Sequence, residues 1–215
     1  MKTLEHLLRW AFFALVRVFV LIFLGLNVRR RYHLPEHGPA IIIANHNSHL
    51  DTLVLISLFP LRLLPRIHPV AAADYFLRNR WLGWFALKII GIIPIARGKA
   101  SKDYDPLEQP CAALDRGEII ILFPEGSRGE PERVSQFKKG IAHLAERNPT
   151  VPVVPVFMHG LGKALPKGDF VFVPFFCDVF IGEAFSFQGD KQEFMQVLQE
   201  RFEQLAKEGE FSAWE

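Results

Sequence analysis

Two loops carry the residue types best suited to chemistry, and each loop follows an apolar run. The first loop contains His46 and, five positions later, Asp51. An imidazole in this position can turn toward a carboxylate in the first turn of a following helix, which orients the ring and stabilises the imidazolium. No Ser or Cys nucleophile lies in a G-x-S-x-G frame. The spacing therefore predicts a His–Asp dyad in which the other ring nitrogen activates a hydroxyl group of the substrate.

Two other interpretations of this loop stay open. Ser48 and Asp51 have the spacing of a capping box, which alone accounts for both residues but not for His46. His46, His49 and Asp51 are all types of metal ligand, although no further His or Glu motif completes a site.

The second loop follows a run of isoleucines and reads FPEGSR, from Phe123 to Arg128. It carries an acidic and a basic side chain, two lysines follow a short distance later, and an earlier apolar run also ends near an arginine. Arginine binds phosphate through two parallel hydrogen bonds, so these basic groups together predict an anion site. The basic residues are Arg97, Arg128, Lys138 and Lys139.

At this point the chain resembles the glycerolipid acyltransferases, of which 1-acyl-glycerol-3-phosphate acyltransferase is typical. Residues 45–51 resemble the H-x4-D block of that family, and residues 91–97 resemble its second block. FPEGSR resembles the third block, and VPVVPV at 151–156 resembles the fourth. The order of the blocks is also that of the family.

The resemblance implies a transferase of phospholipid biosynthesis that moves a fatty acyl group from acyl-CoA or acyl carrier protein to the hydroxyl of a lysophospholipid. It implies His46 as the base and Asp51 as its partner, with no metal ion and no cofactor. The residues that it assigns to the acceptor are Arg97, Glu125, Gly126, Ser127, Arg128, Lys138 and Lys139. In this assignment Glu125 bonds the glycerol part or orients an arginine.

Two alternatives to this function remain. One is an acyltransferase for another lysolipid or lipid alcohol. The other is a catalytically silent, membrane-bound lipid-binding protein on the same fold. The presence of both His46 and Asp51 together with FPEGSR favours an enzyme, because a silent protein has no use for the dyad.

The elements that must position these residues alternate between strand and helix. This alternation predicts an α/β fold, a largely parallel or mixed central sheet flanked by helices, with loops at the carboxyl ends of strands forming the site. The predicted strands are 41–43, 70–73, 92–95, 119–123, 151–157, 170–173 and 178–181. The predicted helices are 50–59, 79–90, 107–116, 137–146 and an amphipathic helix near the end of the chain.

The first part of the chain predicts a membrane-associated helix. Residues 10–28 are almost entirely apolar and approach the length of about 20 residues that spans a bilayer. Arg17 interrupts them, which favours a helix in one leaflet with this side chain reaching outward, although spanning and packing on the domain stay open. Arg29, Arg30 and Arg31 favour an anionic, cytoplasmic membrane face. We expect an anchoring helix at 1–31 and an acyltransferase domain at 32–215.

Composition excludes several other classes of protein. Half of the 215 residues are apolar and 20 are Phe, which excludes a disordered chain. A net charge of +2 gives little attraction to nucleic acid. Two cysteines cannot form a disulfide framework and favour a reducing compartment. The expected partners are a thioester donor, a lysophospholipid and a membrane surface.

Overall fold

A computed structural model of the chain describes residues 2–76, 78–96, 104–127, 136–164 and 176–209. The predicted strand at 170–173 lies outside the described residues. The described strands are β1 (Gly25–Arg29), β2 (Ala40–Ala44), β3 (Ile67–Ala72), β4 (Ile93–Ile95), β5 (Ile119–Leu122), β6 (Val153–His159) and β7 (Phe176–Ile181).

Within this part of the chain, seven strands form one sheet in the order β1-β7-β6-β2-β5-β3-β4. The central strands β2 and β5 are short apolar runs, AIIIA and IIIL, that pair in parallel and are buried almost throughout. Unbroken β-branched runs are typical of strands that helices cover on both faces. All described pairs of strands are parallel except β6 with β7. The predicted α/β fold with a mixed sheet is therefore confirmed.

The helices cover both faces of the sheet and bury alternate residues of each strand. Ile42 and Ala44 of β2 lie in the hydrophobic cluster on one face, and Ile41 and Ile43 lie in the cluster on the other. The described helices are α1 (Lys2–Phe23), α2 (Leu50–Leu58), α3 (Ala73–Phe76), α4 (Arg80–Phe85), α5 (Glu108–Asp115), α6 (Gly140–Arg147), α7 (Leu161–Ala164) and α8 (Lys191–Lys207). Helices α1 and α2 contribute to the first cluster, and α5, α6 and α8 contribute to the second.

The helix predicted at 79–90 consists of two parts. Helix α4 continues into a π-helical turn at Ala86–Ile90, which ends at Gly91 with a φ of 77°. A side chain on Gly91 would also meet the guanidinium group of Arg9, which lies 2.5 Å from the position of an added Cβ. Glycine is thus required here both by its backbone conformation and by the close approach of α1.

The N-terminal helix is shorter than the sequence predicts. It ends at Phe23, and residues 25–29 form an edge strand that pairs in parallel with β7. The division of the chain at residue 31 stays a prediction, but residues 25–29 are part of the sheet.

Helix α1 turns its arginines toward the rest of the molecule. Arg9 is buried and donates hydrogen bonds to the carbonyl oxygens of Ile67 (2.8 Å) and Ile90 (3.1 Å). Burial lowers the pKa of Arg9 to about 10, so it stays charged at neutral pH. Arg17 donates to the carbonyl oxygens of Ser57, at 3.0 Å, and of Phe59. The prediction that Arg17 reaches outward is therefore wrong, because the unpaired carbonyl groups at the end of α2 bind this cation.

The three consecutive arginines after α1 are likewise bound within the molecule. Arg29 lies over the ring of Phe180, at 5.1 Å from its centroid. Arg30 pairs with Glu208 at 2.7 Å, and Arg31 donates to the carbonyl oxygen of Leu58 at 2.5 Å. Their predicted contact with anionic lipid stays a prediction, and the structure shows that each guanidinium group also has a contact within the molecule.

The opposite side of α1 exposes an apolar stripe, which we call the outer face of α1. This helix is long and apolar enough to cross a membrane, with a mean hydropathy of 1.9 over residues 4–23, and only 22% of that stretch is buried. Phe13, Val20 and Leu24 face inward and are buried. The exposed members of the outer face are Leu4, Leu7, Leu8, Trp10, Leu15, Val18, Leu21 and Ile22.

Candidate active site

The predicted site residues that the structure describes lie in the loops after β2 and β5, except Asp51, which lies in the first turn of α2. These two strands pair in parallel, so both loops leave the sheet at the same edge. His46 comes from the first loop and Glu125 from the second, and the backbone N–H of His46 donates to Glu125 Oε1 at 3.0 Å. The structure therefore brings the first and third sequence blocks into direct contact.

His46 and Asp51 make the contact that the H-x4-D spacing predicts. Nδ1 of His46 lies 2.9 Å from Oδ2 of Asp51. The carboxylate is only 1% exposed, whereas the imidazole side chain is 21% exposed. Because a carboxylate only accepts hydrogen bonds, Nδ1 carries the proton in this contact. The neutral ring then keeps its lone pair on Nε2, and this nitrogen can act as a base.

The same carboxylate oxygen also caps the start of α2. Oδ2 of Asp51 accepts the backbone N–H groups of Asn47, at 2.7 Å, and Ser48, at 2.8 Å. The other half of the predicted capping box differs, since Oγ of Ser48 accepts from the N–H of Leu50 at 3.2 Å. Helix capping and orientation of His46 are therefore not alternatives, because one atom performs both.

Phe123 supports the imidazole from one side. Its ring stacks on His46 with 4.3 Å between centroids and an angle of 25° between planes. The sequence motifs predict no role for this residue. The available signal was an aromatic side chain at the first position after β5, which places it beside the neighbouring strand's loop.

Glu125 contacts the backbone of the site. It is 4% exposed and accepts from the N–H of His46, a contact that was not predicted. On the other side of β2, Asn45 exchanges two hydrogen bonds with the backbone of Met158, at 2.7 and 2.8 Å. The residue before His46 is thus tied to β6, and His46 itself is tied to the loop after β5. The predicted contact of Glu125 with the acceptor stays a prediction.

The third block turns sharply at Gly126, which has a φ of 72°. An added Cβ would lie 2.4 Å from Nζ of Lys138, so this amine lies directly against the turn. The backbone N–H of Lys138 also donates to the carbonyl oxygen of Pro124 at 2.9 Å. Ser127 is exposed, and Lys139 is exposed directly before α6. The structure therefore brings Lys138 to the turn, and its role in binding an anion stays a prediction.

Two of the predicted phosphate-binding residues, Arg97 and Arg128, lie outside the described residues. Their role stays a prediction. Among the residues that the structure describes, no group of three or more His, Cys, Asp or Glu side chains has an arrangement that could hold a metal ion.

Comparisons with known proteins show similarity to acyltransferases. Residues 25–159 match the model of a family described as Acyltransferase. The chloroplastic 1-acyl-sn-glycerol-3-phosphate acyltransferase LPAT1 of Arabidopsis thaliana is 30% identical over 148 residues, which cover 68% of this chain and 39% of that protein. The 1-acyl-sn-glycerol-3-phosphate acyltransferase of Pseudomonas aeruginosa is 29% identical over 202 residues, which cover 93% of this chain and 74% of that protein.

The chain thus spans about two fifths of the plant relative's length. Among solved structures, that of the acyltransferase PlsC from Thermotoga maritima matches with a TM-score of 0.73 and 21% identity, over 93% of this chain and 81% of that one. At this level of identity the structural match supports the fold alone.

Proposed function

Because the chain belongs to the acyltransferase family, we propose that it moves a fatty acyl group from a thioester to the hydroxyl of a lysophospholipid. The proposed acceptor is 1-acyl-glycerol-3-phosphate, the substrate for which the plant and Pseudomonas relatives are named. The observation that carries the proposal is the 2.9 Å contact between His46 and the buried carboxylate of Asp51.

In the proposed reaction, Nε2 of His46 takes the proton of the acceptor hydroxyl while the hydroxyl oxygen attacks the thioester carbonyl. Asp51 stabilises the imidazolium that forms. A C–O bond then replaces the C–S bond, and His46 returns the proton to the leaving sulfur. The products are the ester and the free thiol of coenzyme A or acyl carrier protein, and no covalent acyl-enzyme is needed.

The second loop supplies the proposed acceptor site. Lys138 lies beside Gly126, where its ammonium group suits a phosphate. We propose that Arg97, Arg128 and Lys139 also contribute to binding this anion, and that Ser127 contacts the acceptor. Glu125 anchors the backbone of His46, and in our proposal its carboxylate also borders the acceptor site.

We further propose that α1 lies in the surface of one leaflet rather than crossing the bilayer. Its outer face is apolar, whereas Arg9 and Arg17 are bound to backbone carbonyl groups of the domain. A spanning helix would lose these hydrogen bonds and place both cations in hydrocarbon, at about 2.5–3.5 kcal/mol for each cation at the centre. We propose the cytoplasmic face, where both kinds of thioester donor occur.

The test is an acyl-transfer assay on the full chain in lipid vesicles. Radiolabelled acyl-CoA and acyl carrier protein are each supplied with a panel of lysolipids that have or lack a phosphate group. We expect transfer to 1-acyl-glycerol-3-phosphate and its loss in His46→Ala with an unchanged unfolding midpoint. Preferred transfer to a lysolipid without phosphate would show that the proposed acceptor is wrong. Transfer to none of the lysolipids would refute the proposed acyltransferase activity.

A further inference from the structure

A second apolar surface lies beside α1 and has no role in the chemistry described above. It is formed by the exposed side chains of α4 and of the π-helical turn after it, and we call it the α4 surface. Trp81 is 82% exposed and Trp84 is 43% exposed. Its remaining members are Leu82 and Leu87, which are also exposed.

The α4 surface is firmly attached to α1. The ring of Phe85 meets that of Phe12 edge to face, with 5.1 Å between centroids. Lys88 pairs with Glu5 at 3.2 Å. Arg9 binds the carbonyl oxygen of Ile90 at the end of the π-helical turn, at 3.1 Å. These contacts hold α4 and the first half of α1 as one unit, and both expose large apolar side chains.

The chemistry of the α4 surface matches the border between lipid headgroups and acyl chains. Tryptophan is enriched at this depth because its ring is apolar and its N–H group keeps a polar partner. Between residues 73 and 90 the chain carries three basic residues, Arg78, Arg80 and Lys88, against one acidic residue, Asp74. Arg78 and Arg80 are exposed, which suits an anionic lipid surface, whereas Lys88 is exposed but pairs with Glu5.

We propose that the α4 surface is a second membrane contact, which places Trp81 and Trp84 in the headgroup region of the leaflet that holds α1. This inference rests on the proposed membrane attachment of α1. The α4 surface is a separate segment of the chain from α1, so an experiment can support one of the two membrane contacts and refute the other.

The position of α4 gives this contact a consequence for the active site. Helices α3 and α4 follow the carboxyl end of β3, which pairs in parallel with β5. The start of α4, where Asn79 caps the N–H groups of Trp81 and Leu82, therefore lies toward the edge of the sheet that carries His46. A bilayer bound to the α4 surface would approach the site from this side, where an acceptor can enter from the leaflet.

The experiment uses tryptophan fluorescence in the full chain, with vesicles of phosphatidylcholine and phosphatidylglycerol whose acyl chains carry bromine. Three variants each keep one of Trp10, Trp81 and Trp84, with the other tryptophans, including Trp214, replaced by Phe. Trp10 reports on α1 because it is exposed on that helix. The control lacks all four native tryptophans and carries Gln199→Trp on α8, which packs on the opposite face of the sheet.

We expect bromine to quench Trp81 and Trp84 at least about twofold more strongly than the control, and more strongly near the headgroups than in the middle of the bilayer. Quenching of Trp10 without quenching of Trp81 and Trp84 would overturn the second contact and leave the proposal for α1 in place. Equal quenching of the control would overturn it as well, because binding would then have no fixed orientation. If no native tryptophan is quenched, both membrane proposals fail. The proposed acyl-transfer activity is tested separately, by the acyl-transfer assay.

A second measurement tests the contribution of the α4 surface to binding. Trp81→Ser with Trp84→Ser should lower the partition of the chain into the same vesicles by about tenfold. The matched control is Phe176→Ser, which removes another highly exposed aromatic ring on β7. Partition of the double variant equal to that of the wild type would refute the contact.

Discussion

Replacing Asp51 separates the chemical role of its carboxylate from its structural role. Oδ2 of Asp51 accepts from Nδ1 of His46 and from the N–H groups of Asn47 and Ser48. Asp51→Asn keeps an oxygen at this position but removes the charge that stabilises the imidazolium. Asp51→Ala removes the acceptor altogether.

The structure gives a different magnitude for each variant. In Asp51→Ala two buried N–H groups lose their acceptor, at about 1–3 kcal/mol each, so the free energy of unfolding should fall by about 2–6 kcal/mol. In Asp51→Asn the oxygen still accepts, but the new NH2 group takes the place of Oδ1, which has no hydrogen-bond partner among the described residues. We expect a loss of about 1–3 kcal/mol there. Both variants should lose about 100- to 10,000-fold in kcat, the range of general-base catalysis.

The assay combines acyl transfer with urea unfolding, at a temperature where Asp51→Asn is fully folded. Asp115→Asn is the control, because it makes the same change at an exposed position at the end of α5. A folded Asp51→Asn variant with nearly normal turnover would refute the dyad. An Asp51→Ala variant as stable as the wild type would refute the anchoring of the loop by this carboxylate.

Three other residues give further predictions. Phe123→Leu should lower kcat by about 2- to 10-fold because the stacked ring is lost, whereas Phe123→Tyr should stay close to the wild type. Equal kcat in the wild type and Phe123→Leu would exclude a role of Phe123 in positioning His46. Arg17→Met should lower the free energy of unfolding by about 1–3 kcal/mol in urea, because carbonyl groups at the end of α2 lose their donor; exposed Arg62→Met should not. Burial is the main cause that lowers the pKa of His68 below its usual 6.5. The unfolded chain then binds the proton more readily, so the urea midpoint should fall as the pH drops below about 6.5, and less so in His68→Gln; an identical pH dependence in both chains would contradict this.

The sequence predicts best those features that depend on residues close together in the chain. Buried Ile and Val runs predict β2, β5 and β6 to within two residues, since strands covered on both faces leave an unbroken apolar pattern. The contact between His46 and Asp51 also follows from spacing alone, because both residues lie in one loop and the first turn of one helix.

Contacts between residues that are far apart in the chain cannot be predicted from local sequence patterns. Glu125 and Phe123 meet His46 only because β2 and β5 are neighbours in the sheet, and this order is a property of the whole fold. The same limit explains the error at Arg17. A helical pattern tells which side of α1 is polar, but the carbonyl groups that bind this side belong to the end of α2.

Helix α1 covers part of the hydrophobic core of the domain with one side and exposes apolar side chains on the other. Phe13, Val20 and Leu24 are buried in the same cluster as α2, so a chain shortened to begin at Gly25 would uncover that cluster and the carbonyl groups at the end of α2. We expect such a chain to aggregate rather than to yield a water-soluble catalytic domain. Purification of this protein therefore calls for detergent or lipid with α1 in place, since this helix cannot be cut away like a detachable anchor.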